Sequence, residues 1–101
     1  MTPAAEERLE MVLTDTELRR IWGVQGGPVY IDLHGLSCRE ARRLLGNVIN
    51  LLRGPASIKV IHGYHHGTAL RDMVRTNFCN IHVYAVQPDD ANQGLTTLQV
   101  A

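Results

Sequence analysis

Hydrophobic and polar positions alternate clearly from Val29 onward, and this pattern sets most of the predicted elements. Val29, Ile31 and Leu33 alternate with Tyr30 and Asp32, which predicts a strand with one apolar face and puts Asp32 on the other. Ala41, Leu44, Leu45, Val48 and Leu52 then recur at helical spacing. Ser37-Cys38-Arg39-Glu40 forms a capping box ahead of them, and Gly54-Pro55 stops the run. Ile58 to Ile61 is apolar on both faces, as a central parallel strand should be. A second helix is predicted from about Thr68, with Leu70, Met73 and Val74 as its buried stripe, and Ile81 to Val86 reads as a third strand. Gln87 to Gly94 is rich in turn residues, and Leu95 to Val100 is a fourth strand.

The chain before Val29 has a different pattern. Pro3 suits a first helical turn, and Leu9, Val12 and Leu13 make a short apolar stripe. Thr14-Asp15-Thr16-Glu17 is a capping box, predicting a break and a second short helix through Leu18, Ile21 and Trp22. Gly23, Gly26, Gly27 and Pro28 mark a loop. The expected organisation is a helical extension and linker over 1–27, covering an open face or meeting a protein partner, and a compact domain over 28–101. That domain is of the α/β (α+β two-layer) class, ordered β-α-β-α-β-β. Two crossovers put both helices on one face of a mixed four-stranded sheet.

Composition narrows the function classes. The chain has 101 residues, ten basic and ten acidic side chains, and no formal net charge, which argues against a strongly basic nucleic-acid arm. The balance is uneven. Residues 1–27 hold three basic and five acidic side chains, and the remainder seven and five, giving −2 and +2. No apolar run approaches a membrane span, and the N-terminus lacks a signal-peptide layout, so a cytoplasmic location is the default expectation. Cys38 and Cys79 match no zinc spacing and are expected to be reduced and structural.

Candidate chemistry gathers where strands hand over to helices, the edge at which parallel sheets collect ligands. Asp32-Leu33-His34-Gly35 closes the first strand, and His62-Gly63-Tyr64-His65-His66-Gly67-Thr68-Ala69-Leu70-Arg71 follows the second. In the first run Asp32 could orient an imidazole that handles a proton; equally, it could satisfy turn donors beside a surface His34. In the second run Gly63 and Gly67 allow close backbone approach to a phosphate, Arg71 adds a charge, and Tyr64 offers a ring for a base. A tight turn with solvated histidines explains the same residues. His62, His65 and His66 match no standard zinc pattern, and no protein metal site is expected; a Mg²⁺ or Mn²⁺ shared by Asp32 and a substrate phosphate stays open. Arg39 and Arg43 share a helix face with Asn47 and Asn50, either as a solvated surface or as a track for a phosphate backbone. His82 is expected in mid-strand on a sheet face. Gly-x-Ser-x-Gly, Walker and zincin patterns are absent.

Taken together, Asp32-Leu33-His34-Gly35, the later His62-Gly63 and Leu70-Arg71, and the closing Gly94-Leu95-Thr96-Thr97-Leu98-Gln99-Val100 resemble the Smr (small MutS-related) domain. The resemblance runs from about Pro28 to the C-terminus. It implies a fold like the C-terminal domain of the third bacterial translation initiation factor. It also implies nucleic-acid binding and, in several members, endonuclease activity on DNA or RNA. The family's acidic and histidine positions map onto Asp32, His34 and His62, and its glycine loop onto Gly63 and Gly67. One departure stands out: the second motif is a residue longer, with Tyr64-His65-His66 in place of the central glycine region. Two readings follow, a phosphodiester-cleaving enzyme that binds substrate through Gly35, Gly63, Tyr64, His65, His66, Gly67, Arg71, Arg39 and Arg43, or a non-catalytic nucleic-acid-binding module, for example on the ribosome.

Overall fold

The strand over Val29–Asp32 pairs in parallel with the strand over Ala56–Ile61, Val29 opposite Ile58 and Asp32 opposite Ile61. This pairing brings the ends of the two histidine-bearing runs side by side. The computed structural model describes residues 1–23, 25–64 and 67–101. In chain order the elements are α1 (Pro3–Val12), α2 (Asp15–Leu18), β1 (Ile21–Gly23), β2 (Val29–Asp32), α3 (Cys38–Leu52), β3 (Ala56–Ile61), α4 (Ala69–Asp72), a π-helical turn (Met73–Asn77), β4 (Val83–Pro88) and β5 (Leu95–Val100). The sheet is mixed, in the order β1-β2-β3-β5-β4, with β2–β3 parallel and the other neighbouring pairs antiparallel.

Five strands form where four were expected. Ile21 and Trp22 do not extend a helix. They pair with Ile31 and Tyr30 on the edge of β2. The three-residue strand is too short to show an alternation, so its two apolar residues passed for a helical stripe in the sequence. The capping box at Thr14 and Glu17 forms as expected, but its helix ends at Leu18.

Residues 1–23 are packed on the rest of the molecule. Ala5, Leu9 and Leu13 of the N-terminal segment are buried in the same core as Ala41, Leu44, Leu45, Val48 and Ile49 of α3. The Arg8 guanidinium donates to the Leu51 and Leu52 carbonyls (2.6 and 2.9 Å), supplying acceptors at the C-terminal end of α3 with a donor. Leu9 and Leu13 of the apolar stripe are spent on the protein's own core, while Val12 and the neighbouring Met11 are exposed.

The helices cover one face of the sheet. Val29, Ile31, Ile58, Val60, Leu98 and Val100 turn inward to meet them. By alternation Tyr30, Asp32, Lys59, Ile61, Thr97 and Gln99 lie on the other face. The third expected strand starts two residues late, at Val83, with a register irregularity between Val83 and Ala85. His82 is therefore not in a strand. It is exposed in the preceding turn, with its N–H donating to Asn80 Oδ1 (2.9 Å). Ile81, expected to open that strand, is 95% exposed. Cys38 and Cys79 are both free thiols; Cys38 is half-buried against the core and Cys79 is exposed. Among the described residues no helix is long and apolar enough to cross a membrane.

Candidate functional site

Asp32 ends β2 and points away from the helices. Its Oδ1 accepts from the backbone N–H of His34 (3.0 Å) and lies 2.6 Å from His34 Nδ1. A carboxylate accepts, so Nδ1 is the donor and carries the proton. One Asp32 oxygen thereby accepts two bonds from His34, one from its backbone and one from its ring, and the latter orients the imidazole. Its side chain is 70% exposed, leaving Nε2 for solvent or substrate. Gly35, at φ +81°, makes the left-handed step that lets the chain turn directly after the pair. Ser37 and Glu40 then close the capping box that starts α3. The Ser37 hydroxyl, and its backbone N–H after it, hold the Glu40 carboxyl below the ordinary carboxylate range. Arg39 and Arg43 follow on α3, both exposed.

The second run converges on the first. A β-carbon built on Gly63 would lie 4.0 Å from that of His34, and Leu33 N–H donates to Ile61 O (2.8 Å) across the strands. The N–H groups of His62 and Gly63 both donate to Gly94 O, at 3.0 and 3.1 Å. Gly94 is itself buried, and a β-carbon there would meet Gly63 Cα at 3.2 Å. The two glycine turns are thus held in direct backbone contact.

His62 goes elsewhere. It continues the inward parity of Ile58 and Val60, on the opposite side of the sheet from Asp32, and is 3% exposed. Its Nδ1 is 2.9 Å from Gly63 O and its Nε2 2.8 Å from Thr96 Oγ1. Arg75 Nε donates to the same Thr96 oxygen (2.8 Å), and Arg75 Nη2 to Leu95 O (3.1 Å). One proton arrangement satisfies the chain. Arg75 donates to Thr96, the Thr96 hydroxyl donates to Nε2, and Nδ1–H donates to the Gly63 carbonyl. Burial is the main force holding His62 below its ordinary value; the bond to Gly63 opposes this, and the nearby Arg75 and Arg71 charges add to it. The structure therefore brings Asp32, His34, Gly35 and Gly63 to one open edge and places the His62 ring beneath it.

A pH effect on stability follows. Unfolded His62 takes up a proton as pH falls through its ordinary value near 6.5, whereas the folded ring resists until lower pH. The contribution is complete above that value and lost as pH falls below it, with a slope of at most about 1.4 kcal/mol per pH unit. Urea midpoints of wild type should fall on acidification through this window, and His62→Gln should flatten the fall. Equal slopes in the two proteins would show that His62 is not the group responsible.

The remaining site residues are more peripheral. Gly63 and Gly67 both take positive φ, +71° and +115°. Tyr64 is 42% exposed, and His65 and His66 lie outside the described residues. Thr68 precedes α4 and its hydroxyl donates to Asp72 Oδ2 (3.1 Å), while Arg71 pairs loosely with Asp72 (3.4 Å). The chain widens into the π-helical turn after Asp72, whose carbonyl accepts from Thr76 Oγ1 (2.6 Å), and from that turn Arg75 reaches β5.

Among the described residues no three His, Cys, Asp or Glu side chains gather as a metal site. Asp32 offers a carboxylate already bonded through Oδ1 to His34, a poor fit for a resident Mg²⁺ or Mn²⁺ unless substrate oxygens supply most ligands.

The sequence did not single out Arg20, Arg75, Gly94 or Thr96 for the site. Arg20 was hidden by the helical reading of its segment, and the other three act through contacts between distant elements. For His62 the signal was present: the period-two alternation from Ile58 through Val60 already turned it inward. No curated protein matches the chain. The Smr domain family model matches residues 31–98.

Proposed function

The chain belongs to the Smr domain family, and from this and the site geometry we propose that it is a nucleic-acid-binding protein that cleaves or nicks phosphodiester bonds. Membership of the family itself supports interaction with nucleic acid. The observation that carries the catalytic reading is the meeting of a carboxylate-held, exposed imidazole with a paired-glycine turn at the carboxyl ends of two parallel strands. The substrate phosphate lies against the Gly63–Gly67 turn and Gly35, with Arg71 on one side and Arg39 and Arg43 leading the backbone away along α3. His34 Nε2 moves the proton. It takes one from the attacking oxygen as the new P–O bond forms, or gives one to the leaving oxygen as the old bond breaks. Asp32 holds the ring in the tautomer that leaves Nε2 free for this. His62, with both nitrogens bonded inside the protein, positions Gly63. Tyr64, His65 and His66 give the longer second loop its contacts with the nucleotide. We place this activity in the cytoplasm.

The competing reading is a binding module without chemistry, working on RNA or the ribosome, as the expected likeness to an initiation-factor domain would suggest. A panel of labelled RNAs and DNAs, with EDTA, Mg²⁺ and Mn²⁺ arms, separates the two. Wild type should yield discrete products. Asp32→Ala should bind as well but cleave at least about tenfold more slowly, since the histidine loses its partner. Binding without products in every arm would favour the module. Equal cleavage by both proteins would remove Asp32 and His34 from the chemistry.

A further inference from the structure

Strand β1 lies outside the residues matched by the family model, yet it is built into the site. The Arg20 carbonyl accepts from Asp32 N–H (2.8 Å), and Arg20 Nη1 donates to the carbonyls of Asp32 (3.1 Å) and His34 (3.0 Å). Arg20 thus clamps both ends of the Asp32–His34 turn through one nitrogen, and its Nε and Nη2 make no hydrogen bond to the described residues. Two residues further on, Trp22 pairs with Tyr30 across the strands, and their rings stack with centroids 5.6 Å apart and planes 2° from parallel. Trp22 is 44% exposed. From Tyr30 the same row of register partners crosses the sheet through Lys59 and Thr97 to Gln87. The face away from the helices therefore carries two stacked aromatic rings, a half-buried cation and an exposed amide in one line, with Thr97 buried between the last two. No carboxylate interrupts that line, and it lies two residues along β2 from Asp32.

We infer that this outer sheet face is a track for single-stranded nucleic acid, which delivers one strand to the Asp32–His34 pair. The inference rests on the nuclease reading and names its substrate class. An unpaired base stacks on the Trp22–Tyr30 pair, which a base inside a duplex cannot do because its faces are already covered by its neighbours. Lys59 and the spare donors of Arg20 take the flanking phosphates, so the charge of the face complements that of the strand. Continuity with the site favours this occupant: Tyr30, in the row that crosses the sheet, is two residues along β2 from Asp32, about 7 Å at the rise of a strand, so a nucleotide next to the stacked base reaches the pair.

Trp22 is the chain's one tryptophan, so its emission reports on the track directly. Oligo-dT, oligo-U and a short duplex are titrated into wild type and the Asp32→Ala chain, with anisotropy of the labelled oligonucleotide read in parallel. Either single strand should quench Trp22 and bind more tightly than the duplex, and which of the two binds better separates DNA from RNA. Trp22→Ala should weaken single-strand binding about tenfold, the worth of one stacked base, whereas Trp22→Phe keeps most of the affinity. Duplex binding as tight as single-strand binding, unchanged emission, or full affinity in Trp22→Ala would each overturn the track. The two readings fail separately. Cleavage without any Trp22 response leaves the nuclease and sinks the track; quenching without products in any metal arm does the reverse.

Discussion

His34→Ala should cut the cleavage rate by about 10²- to 10⁴-fold, the usual worth of a positioned proton-transfer group, while leaving folding and oligonucleotide affinity nearly unchanged. The ring is largely exposed and, among the described residues, bonds to Asp32 alone, so little of the fold depends on it. The loss should be partly restored by free imidazole, which can enter an open edge and do the same work at Nε2. His62 behaves in the opposite way under the same assignment. Replacing it perturbs stability first, and imidazole does not rescue the rate, because its nitrogens are committed to Gly63 and Thr96. Rates of His34→Ala and His62→Gln, each with and without imidazole, check both statements. Rescue of the His62 variant alone would exchange the two roles.

Thr96→Val should destabilise the protein by about 2–3 kcal/mol, although it changes the side chain's shape little. The hydroxyl is the middle of a relay. It accepts from Arg75 Nε and donates to His62 Nε2, and Thr96 is fully buried. Valine leaves the buried imidazole nitrogen without a donor and the guanidinium Nε without an acceptor, and burial denies the imidazole replacement by water. For a domain of this size that is a large part of the total stability. Thr96→Ser keeps the oxygen and should recover most of the loss. A further readout separates this relay from ordinary packing. With Nε2 unsupported, the Nδ1–H bond to Gly63 is no longer fixed, so cleavage should fall in Thr96→Val even at temperatures where the chain is fully folded. A urea midpoint equal to wild type would show that the hydroxyl is not needed there.

Much of this architecture is legible in the sequence because burial follows simple periods. The Val29-Ile31-Leu33 alternation, the Ala41 to Leu52 stripe and the Ile58 to Ile61 run become β2, α3 and β3 with small shifts at their ends. Both capping boxes form with reciprocal bonds. What fails is the short and the irregular. Ile21–Gly23 is decided by pairing with β2, a tertiary contact that outweighs local preference, and its loss as a helix also hid Arg20 and the Trp22–Tyr30 stack. The edge strand β4 begins late, at Val83, with irregular pairing to β5, so Ile81 and His82, read as strand, fall in the preceding turn.

For the site, the spatial meeting of the two motifs follows from parallel pairing of the strands that carry them. The division of labour between the histidines does not follow from the motif letters. It depends on which side of the sheet each ring takes: Asp32 and His34 belong to the open edge, while His62 shares the parity of the core. Gly94 looked like an ordinary turn glycine, and only the packed structure shows its carbonyl receiving two N–H groups from the opposite loop.

The claim beneath all of this is that the two turns make one phosphate site with His34 at its rim. Crystals soaked in tungstate, a heavy tetrahedral stand-in for a phosphodiester, test it most directly. The anion is expected between the His34 imidazole and the Gly63–Gly67 turn, within reach of Arg71, and absent from crystals of His34→Ala soaked alike. Tungstate bound only along the α3 arginines, with the edge between His34 and Gly63 empty, would contradict it.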